Sequence, residues 1–267
     1  MSVSRFDTVQ TRYFQRIQRA ARDFGDHEGI SISKVTHWMS QFEDNDLLLA
    51  EKILNEIKYY SASKIRAMVG ELVKLVYLKF NTIQRERILF IPIGEPYEGS
   101  STIARVLREE VGEDVIKYMS DLERLEEGTY EALIFIDDFS GTGTQLSEWW
   151  VNVESIVLPR NVPFVLALLV INYRARPILE DFSEVVCVDQ LQREDNVLSR
   201  YSRIFSDEEK RRMIHYCKLT NCHPDLIYGF DDCGLLLVFK HGCPDNSIPI
   251  LWHTNASWEG LFKKSAI

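Results

Sequence analysis

Two adjacent acids followed by a loop rich in glycine and hydroxyl groups are the residues of this chain best suited to chemistry. Asp137 and Asp138 come directly after the apolar run 133–136, and the loop 140–145 has the sequence Ser-Gly-Thr-Gly-Thr-Gln. Carboxylates at the end of a buried strand gain little from apolar surroundings, so their oxygens need hydroxyl groups or a metal ion as partners. The loop adds hydroxyls and backbone N–H groups in front of a predicted helix, which favours a bound phosphate. The pattern therefore predicts a site for a ribose and its phosphate.

Each position of this segment has a predicted role. Asp137 and Asp138 are the candidate catalytic residues. The candidate contacts of the phosphate are Ser140, Gly141, Thr142, Gly143, Thr144 and Gln145.

A second turn from strand to helix lies upstream and has the same plan. The apolar run 87–94 predicts a buried strand, and a helix is predicted over about 102–110. The predicted anion contacts of this turn are Gly94, Gly99, Ser100 and Ser101. An ordinary turn with a serine N-cap is the alternative interpretation. Two such turns about 45 residues apart are what successive crossover units would produce.

Other ligand classes are less compatible with these residues. The chain has no Gly-x-x-x-x-Gly-Lys-[Ser/Thr] motif, and Gly141-Thr142-Gly143 is not followed by the third glycine of a dinucleotide-binding fingerprint. Paired acids after a buried strand also bind metals in nucleotide hydrolases, and acids before a glycine-rich turn can belong to a plain surface loop. These two alternatives stay open.

The remaining elements of the middle region predict an α/β fold. Apolar runs at 163–171 and 184–189 indicate further strands, and residues 145–157 have the periodicity of a helix. Trp149 and Trp150 on that helix are expected in the core. Strands that alternate with helices predict a parallel sheet with helices on its faces.

The N-terminal third has helical periodicity instead. Helices are predicted over 8–24, 33–41, 46–57 and 63–80, so residues 1–84 are predicted to form a helical subdomain that resembles a winged helix. Lys64 and Arg66 follow a Ser-Ala-Ser turn as in the recognition helix of a helix-turn-helix, which makes DNA a candidate partner. A solvated helix face packed on the sheet domain is the alternative.

The C-terminal region is predicted to complete the α/β domain, which would span residues 85–267. Residues 234–240 have the pattern of a strand, and the turn-rich loop 241–252 is a candidate substrate-facing cap. The segment 258–262 is predicted to be a docking tail.

Composition limits the class of protein. The 267 residues are 45% hydrophobic and 27% charged, and the formal net charge is −9. This balance argues against general affinity for nucleic acid, although it allows a local basic patch. No apolar stretch reaches the length of about 20 residues that a membrane helix needs, and no signal peptide is apparent. Five cysteines without a signal peptide favour reduced thiols, so a cytoplasmic protein without membrane contact is expected.

A structural zinc site is a further alternative. Cysteines and histidines cluster near the C-terminus at Cys217, Cys222, His223, Cys233, His241 and Cys243. Their spacing does not follow a standard zinc motif, and buried free cysteines are common, so no bound metal is predicted from these residues.

The segment 133–145 resembles the 5-phosphoribosyl-1-pyrophosphate (PRPP) signature of type I phosphoribosyltransferases. More of the chain is similar to the phosphoribosyltransferase-like proteins of bacterial conflict systems, including effectors encoded beside retrons and other anti-phage modules. The residues of this similarity are Trp38, Gln41, Phe42, the Asp-Asp-Phe-Ser-Gly-Thr-Gly segment, the 244–252 segment and Trp-x-x-Leu-Phe at 258–262.

The resemblance implies a type I phosphoribosyltransferase-like fold, a PRPP or nucleotide ligand, and Mg2+ bound with the diphosphate. It implies displacement at ribose C1 with pyrophosphate as leaving group, and a defence role with a partner protein or retron nucleoprotein. The segment 111–131 is short for a mobile catalytic loop, and Lys117 and Arg124 are predicted to be helical. An inert module that binds the ligand as a signal is therefore the alternative to an active transferase, and a DNA-binding regulator is the third hypothesis.

Overall fold

The computed structural model describes residues 4–94, 100–122, 124–126 and 128–265, with backbone alone at 100–102. The helices are α1 (Arg5–Asp23), α2 (Ile32–Ser40), α3 (Leu47–Glu56), α4 (Ala62–Lys79), α5 (Ser100–Val111), α6 (Met119–Leu122), α7 (Thr144–Val157), α8 (Ala175–Glu180) and α9 (Asp207–Leu219). The strands are β1 (Lys58–Tyr60), β2 (Ile88–Pro92), β3 (Ala132–Ser140), β4 (Phe164–Asn172), β5 (Glu184–Leu191) and β6 (Leu237–Phe239).

The chain forms two compact units. One unit is the middle of the chain, Ser63–Gln192, and the other joins the N-terminal residues up to Ala62 with those from Arg193 onward. This division differs from the predicted boundary after residue 84. The difference has two causes, which are the packing of α4 beside the sheet and the packing of the C-terminal segment on the N-terminal helices.

The middle unit contains a parallel sheet with the strand order β2-β3-β4-β5. Ile116 forms an additional parallel bridge with Phe90 on the other side of β2. The strands alternate with helices, as apolar runs joined by crossovers require. The predicted α/β class, with a parallel sheet flanked by helices, is therefore confirmed.

Aromatic packing covers one face of this sheet. The Trp150 ring on α7 stacks on Phe164 at 4.9 Å and on Phe182 at 5.1 Å, and Trp149 meets Phe135 edge-on at 5.1 Å. Trp150 is 7% exposed, so its predicted core role is confirmed.

Helix α4 belongs to the sheet unit and does not form a helix-turn-helix. The element before it is strand β1, and its Tyr77 ring lies 6.1 Å from that of Phe90 on β2. Arg66 forms an ion pair with Glu109 on α5. The predicted recognition helix is thus a flanking helix of the sheet, and the apolar stripe of α4 is buried, as in Ile65 and Val69.

The second unit is held together by contacts between distant parts of the chain. β1 pairs in parallel with β6, with Tyr59 opposite Val238. One apolar core joins side chains of α1, α2 and α3 with those of α9 and the last 30 residues. The indole N–H groups of Trp38 and Trp258 both donate to the carbonyl of Ile250, at 2.8 and 3.1 Å. The segment 258–262 therefore docks on the N-terminal helices, as predicted.

No helix in the described part of the chain is both long enough and apolar enough to cross a bilayer. All five cysteines are free thiols, and Cys217, Cys233 and Cys243 are buried. Within the described ranges, no group of three or more His, Cys, Asp or Glu side chains could hold a metal ion.

Candidate functional site

Strand β3 extends past the end of its neighbour β2, and this step creates the candidate site. β2 ends with Pro92 opposite Ile136, and the last bond between the two is from Ile93 N to Ile136 O at 2.9 Å. β3 continues to Ser140, paired with β4 on its other side. The prediction that the strand ends at residue 136 was wrong, because pairing with β4 keeps the two acids and the next two residues extended.

The site lies where the chain changes direction across the sheet. From β2 the chain continues to the bridge at Ile116 on the outer side, whereas from β3 it continues to β4 and β5 on the opposite side. Ligands of open α/β sheets bind at the carboxyl ends of the strands at such a switch point. The crevice beside residues 137–140 is therefore the expected ligand position.

Asp137 and Asp138 are half-buried and lie on opposite faces of β3, because side chains alternate along a strand. Asp137 is on the face of Phe135, which packs against α7. Its Oδ1 accepts a hydrogen bond from the backbone N–H of Asp138 at 2.9 Å. This bond orients one carboxylate, while the other lies on the opposite face of the strand.

The loop after β3 leads directly into the N-terminus of α7. The helix begins at Thr144, close to the predicted start near residue 145. Thr142 Oγ1 lies 3.0 Å from Thr144 Oγ1 and 3.4 Å from its backbone N. Ser140 and Thr142 are buried, whereas Thr144 and Gln145 are exposed. The positive end of a helix dipole and its free N–H groups at this position favour an anion.

Gly143 is required by both its conformation and its surroundings. It has φ +84°, and a Cβ atom there would lie 3.3 Å from Ile178 and 3.4 Å from the carbonyl of Ala175. A larger residue would meet backbone strain and the side of α8 together. The loop is therefore held against α8.

The upstream turn is described in part. Gly94 follows β2 with φ +94° and is exposed, which is the left-handed conformation that favours glycine. Helix α5 begins at Ser100, so Ser100 and Ser101 form its first turn, although their side chains lie outside the described residues. Gly99 also lies outside the described residues.

Three polar residues at this edge, Asn172, Tyr173 and Arg174, are not among the predicted site residues. Asn172, at the end of β4, is 2% exposed, and its Oδ1 accepts a hydrogen bond from Arg174 N at 3.1 Å. Tyr173 N donates to Leu191 O at 2.8 Å. Because Ser140 pairs with Ile171, this turn follows β4 beside the loop of α7. The signal in the sequence was the polar Asn-Tyr-Arg directly after a long apolar run.

Lys117 is not helical, contrary to the prediction. Its backbone N donates to Phe90 O at 3.0 Å, which places it next to Ile116 in the short bridge beside β2. Arg124 lies in a turn. The bridge is parallel to β2, so Lys117 is a basic residue on the β2 side of the predicted site.

These residues offer acceptors and donors in a fixed order along the sheet edge. Two carboxylates can accept hydrogen bonds from sugar hydroxyls, and the loop of α7 can donate to a phosphate. The carboxylates also have the hard oxygens that Mg2+ prefers, but no group of three ligands for an ion exists among the described side chains.

Comparison with known proteins gives one match of wide coverage. The family model described as PRTase-CE matches residues 35–264. A search of curated proteins finds no match.

Solved structures with similarity to the chain include several phosphoribosyltransferases. Hypoxanthine-guanine phosphoribosyltransferase from Leishmania tarentolae in complex with GMP is 13% identical, with 50% of this chain and 81% of that chain covered at a TM-score of 0.33. Xanthine-guanine-hypoxanthine phosphoribosyltransferase from Helicobacter pylori is 14% identical, with 50% and 83% covered at a TM-score of 0.35. Because these TM-scores are below 0.5, the family of this chain is assigned from the family model and not from the solved structures.

Proposed function

The chain belongs to the PRTase-CE family, and from this premise we propose that it binds PRPP or a nucleotide at the carboxyl edge of β3. The single observation that supports this most is the extension of β3 past β2, because Asp137 and Asp138 lie beyond the last paired residue of β2 and the following loop leads into α7 at Thr144. The carboxylates would hold the ribose hydroxyls. The loop 140–145 would hold the 5-phosphate through backbone N–H and hydroxyl donors.

The diphosphate of PRPP would lie on the side of β2. Gly94 and the first turn of α5 are at this side, and Lys117 is a basic residue next to the bridge beside β2. A bound Mg2+ would neutralise diphosphate charge and would be held by the diphosphate together with Asp137 or Asp138.

The reaction proposed for this site is displacement at ribose C1. A lone pair of the acceptor forms the new bond to C1 while the C1–O bond to the diphosphate breaks, and pyrophosphate leaves with that electron pair. The carboxylates of Asp137 and Asp138 would orient the ribose and stabilise positive charge on it as the C1–O bond lengthens.

Binding without turnover is the second candidate function. The observation in its favour is the short connection between α5 and β3. The helix α6, in the described part of this connection, has four residues. A site that has the ribose and phosphate contacts without a mobile catalytic loop would act as a sensor of its ligand.

We also propose a biological role: this protein is an effector of a bacterial anti-phage system and acts with a partner protein or a retron nucleoprotein. Its support is the similarity to conflict-system proteins. Of the shared residues, Trp38 and Trp258 lie in the apolar core of the second unit, and Gln41 donates a hydrogen bond to the carbonyl of Glu259. A cytoplasmic location is part of the same proposal, and the five free thiols are compatible with a reducing compartment.

Calorimetric titration of PRPP with Mg2+ into the purified protein tests the binding site. The Asp137→Asn, Asp138→Asn variant should lose binding at least tenfold, because the ribose hydroxyls lose charged acceptors. The matched control is Glu113→Gln, Asp114→Asn, which removes two exposed acids between α5 and the Ile116 bridge and should bind as the wild type does.

Released pyrophosphate, measured in the same samples, separates the two functions. Pyrophosphate that depends on Asp137 and Asp138 would identify a transferase, and binding without release would identify a sensor. Equal binding by both double variants, or none by the wild type, would contradict the proposed site.

A further inference from the structure

We propose that the outer face of α1 is a binding surface for the phosphodiester backbone of a nucleic acid. The first observation is the charge of this helix. Residues 8–22 contain four arginines, Arg12, Arg16, Arg19 and Arg22, and no acid. The whole chain has 40 acidic residues among 267, so a stretch of this length would hold about two. The charge of α1 is thus opposite to that of the protein.

The arginines lie on the exposed side of α1. The inner side is fully used by the apolar core, where Val9, Tyr13 and Ile17 are at most 3% exposed. The side chains of Arg19 and Arg22 are 70% and 77% exposed. The basic face is therefore accessible while the apolar face is buried.

Arg12 and Arg16 converge on one aromatic ring. Their guanidinium carbons each lie 5.6 Å from the centroid of the Tyr13 ring. Tyr13 has non-helical angles, φ −113° and ψ 18°, so α1 bends there. The bend does not separate the two cations, because both remain against the same ring.

Two grooves connect the remaining arginines. Arg16 and Arg19 line a groove of about 270 Å³, whose other polar residues are Asp23, Glu51, Asn55, Tyr59 and Ser61. On the other side, Arg19 and Arg22 line a groove with polar residues including Gln15 and Gln18. Arg19 belongs to both grooves, so Arg16, Arg19 and Arg22 border adjoining grooves, and Arg12 is joined to Arg16 through the Tyr13 ring.

The acids near this surface only partly neutralise it. Arg16 pairs with Glu51 at 2.6 Å, and Asp23 accepts from both Arg19 and Arg22, at 3.4 and 3.2 Å. Two acids thus pair with three of the four arginines. Each guanidinium has five N–H donors, so contact with one carboxylate leaves donors for a phosphate.

Nucleic acid fits this surface better than the other anionic partners. An amphipathic helix that binds membranes needs its apolar face, which α1 buries in the core. The arginine fork matches phosphate oxygens, and the interspersed glutamines supply neutral donors. From Arg12 to Arg22 the helix rises about 15 Å, which is long enough to follow several phosphates of one strand.

Fluorescence anisotropy with a labelled 30-mer tests the proposal, using single-stranded DNA, the duplex, and RNA of the same sequence. The wild type should bind at least one of them, with affinity that falls as KCl increases. The Arg12→Gln, Arg19→Gln, Arg22→Gln variant should bind at least tenfold more weakly. The slope of log affinity against log salt should decrease by about 2 to 3, as expected for three lost phosphate contacts.

The matched control is Arg203→Gln, Arg211→Gln, Lys218→Gln, which removes three exposed cations from the same unit. It should retain most of the affinity. Equal loss in the two variants, or no binding by the wild type at 50 mM KCl, would overturn the proposal, as would binding to anionic vesicles without binding to any oligonucleotide. If the triple variant fails to fold, Arg12→Gln and Arg22→Gln alone should each weaken binding about threefold. The assay contains no PRPP, so its outcome is independent of the ribose-phosphate site.

Discussion

Gln41 and Glu259 are 218 residues apart in the chain and form a closed pair of hydrogen bonds. Gln41 Nε2 donates to Glu259 O at 2.9 Å, and Glu259 N donates to Gln41 Oε1 at 2.6 Å. The side-chain amide of Gln41 thus makes the two hydrogen bonds that the backbone of a neighbouring strand would make. It attaches the C-terminal segment to the end of α2.

Replacing Gln41 by Met should destabilise the protein, because the side chain keeps its size while both bonds to the main chain are lost. The expected decrease in the free energy of unfolding is about 1–3 kcal/mol. Urea denaturation measures it, with the exposed Gln15→Met as control. No difference between the two variants would show that water replaces the amide at no cost.

Gly143→Ala should weaken PRPP binding as well as stability. The positive φ costs about 1–2 kcal/mol for any residue with a Cβ, and the contacts with Ile178 and Ala175 would also displace the loop. Gly112→Ala is the matched control, since Gly112 has φ +86° and its Cβ would have nothing within 4 Å. Urea denaturation and calorimetry should show a stability loss in both variants and a binding loss in Gly143→Ala alone.

Lys210→Met should destabilise the loop before α9. Lys210 is 7% exposed, and its Nζ donates to Ser199 O at 2.7 Å and to Ser202 O at 2.8 Å. Methionine keeps the length of the side chain but leaves these carbonyls without the donor, which should cost roughly 1–3 kcal/mol. Lys218→Met, at an exposed position of the same helix, should be nearly neutral in urea denaturation. Equal urea midpoints of the Lys210→Met and Lys218→Met variants would contradict a stabilising role of the buried amine.

His27 should make the stability depend on pH. Burial lowers the pKa of His27 below its usual value of 6.5, an effect that Asp26 and Glu28 partly oppose and that His241 increases. The unfolded chain therefore takes up a proton at a higher pH than the folded protein does. The contribution of His27 to the free energy of unfolding is present in full above about pH 6.5 and decreases as the pH falls below it.

In His27→Gln this contribution should be absent. The free energy of unfolding from urea titrations at pH 7.5, 6.5 and 5.5 should fall more steeply for the wild type than for the variant. The histidines distant from His27 are common to both proteins, so their contributions cancel in the difference, whereas the interaction between His27 and His241 is part of the measured effect. An equal dependence of the free energy of unfolding on pH in the two proteins would show that His27 does not contribute to it.

Much of the architecture could be predicted from local patterns. The apolar runs at 87–94, 163–171 and 184–189 correspond to β2, β4 and β5, and the predicted helices of the N-terminal third correspond to α1 through α4. The predictions of β2 and β4 succeeded because burial on both faces gives strands continuous apolar runs, whereas β5 is mostly half-buried. The helices were predictable because burial on one face gives a period of 3.6 residues. The candidate phosphate site was also visible, since residues 137–145 are contiguous.

What the sequence alone determined is therefore the local elements, the α/β class and the composition of the phosphate loop. Only the tertiary structure decided that β3 continues to Ser140 beyond β2, that Lys117 lies in a bridge beside β2, and that the C-terminal segment packs on the N-terminal helices. Each of these depends on pairing between residues far apart in the chain, as when β1 meets β6. Strand register and long-range packing follow from the free energy of the assembled core, and local periodicity contains no information about the partner.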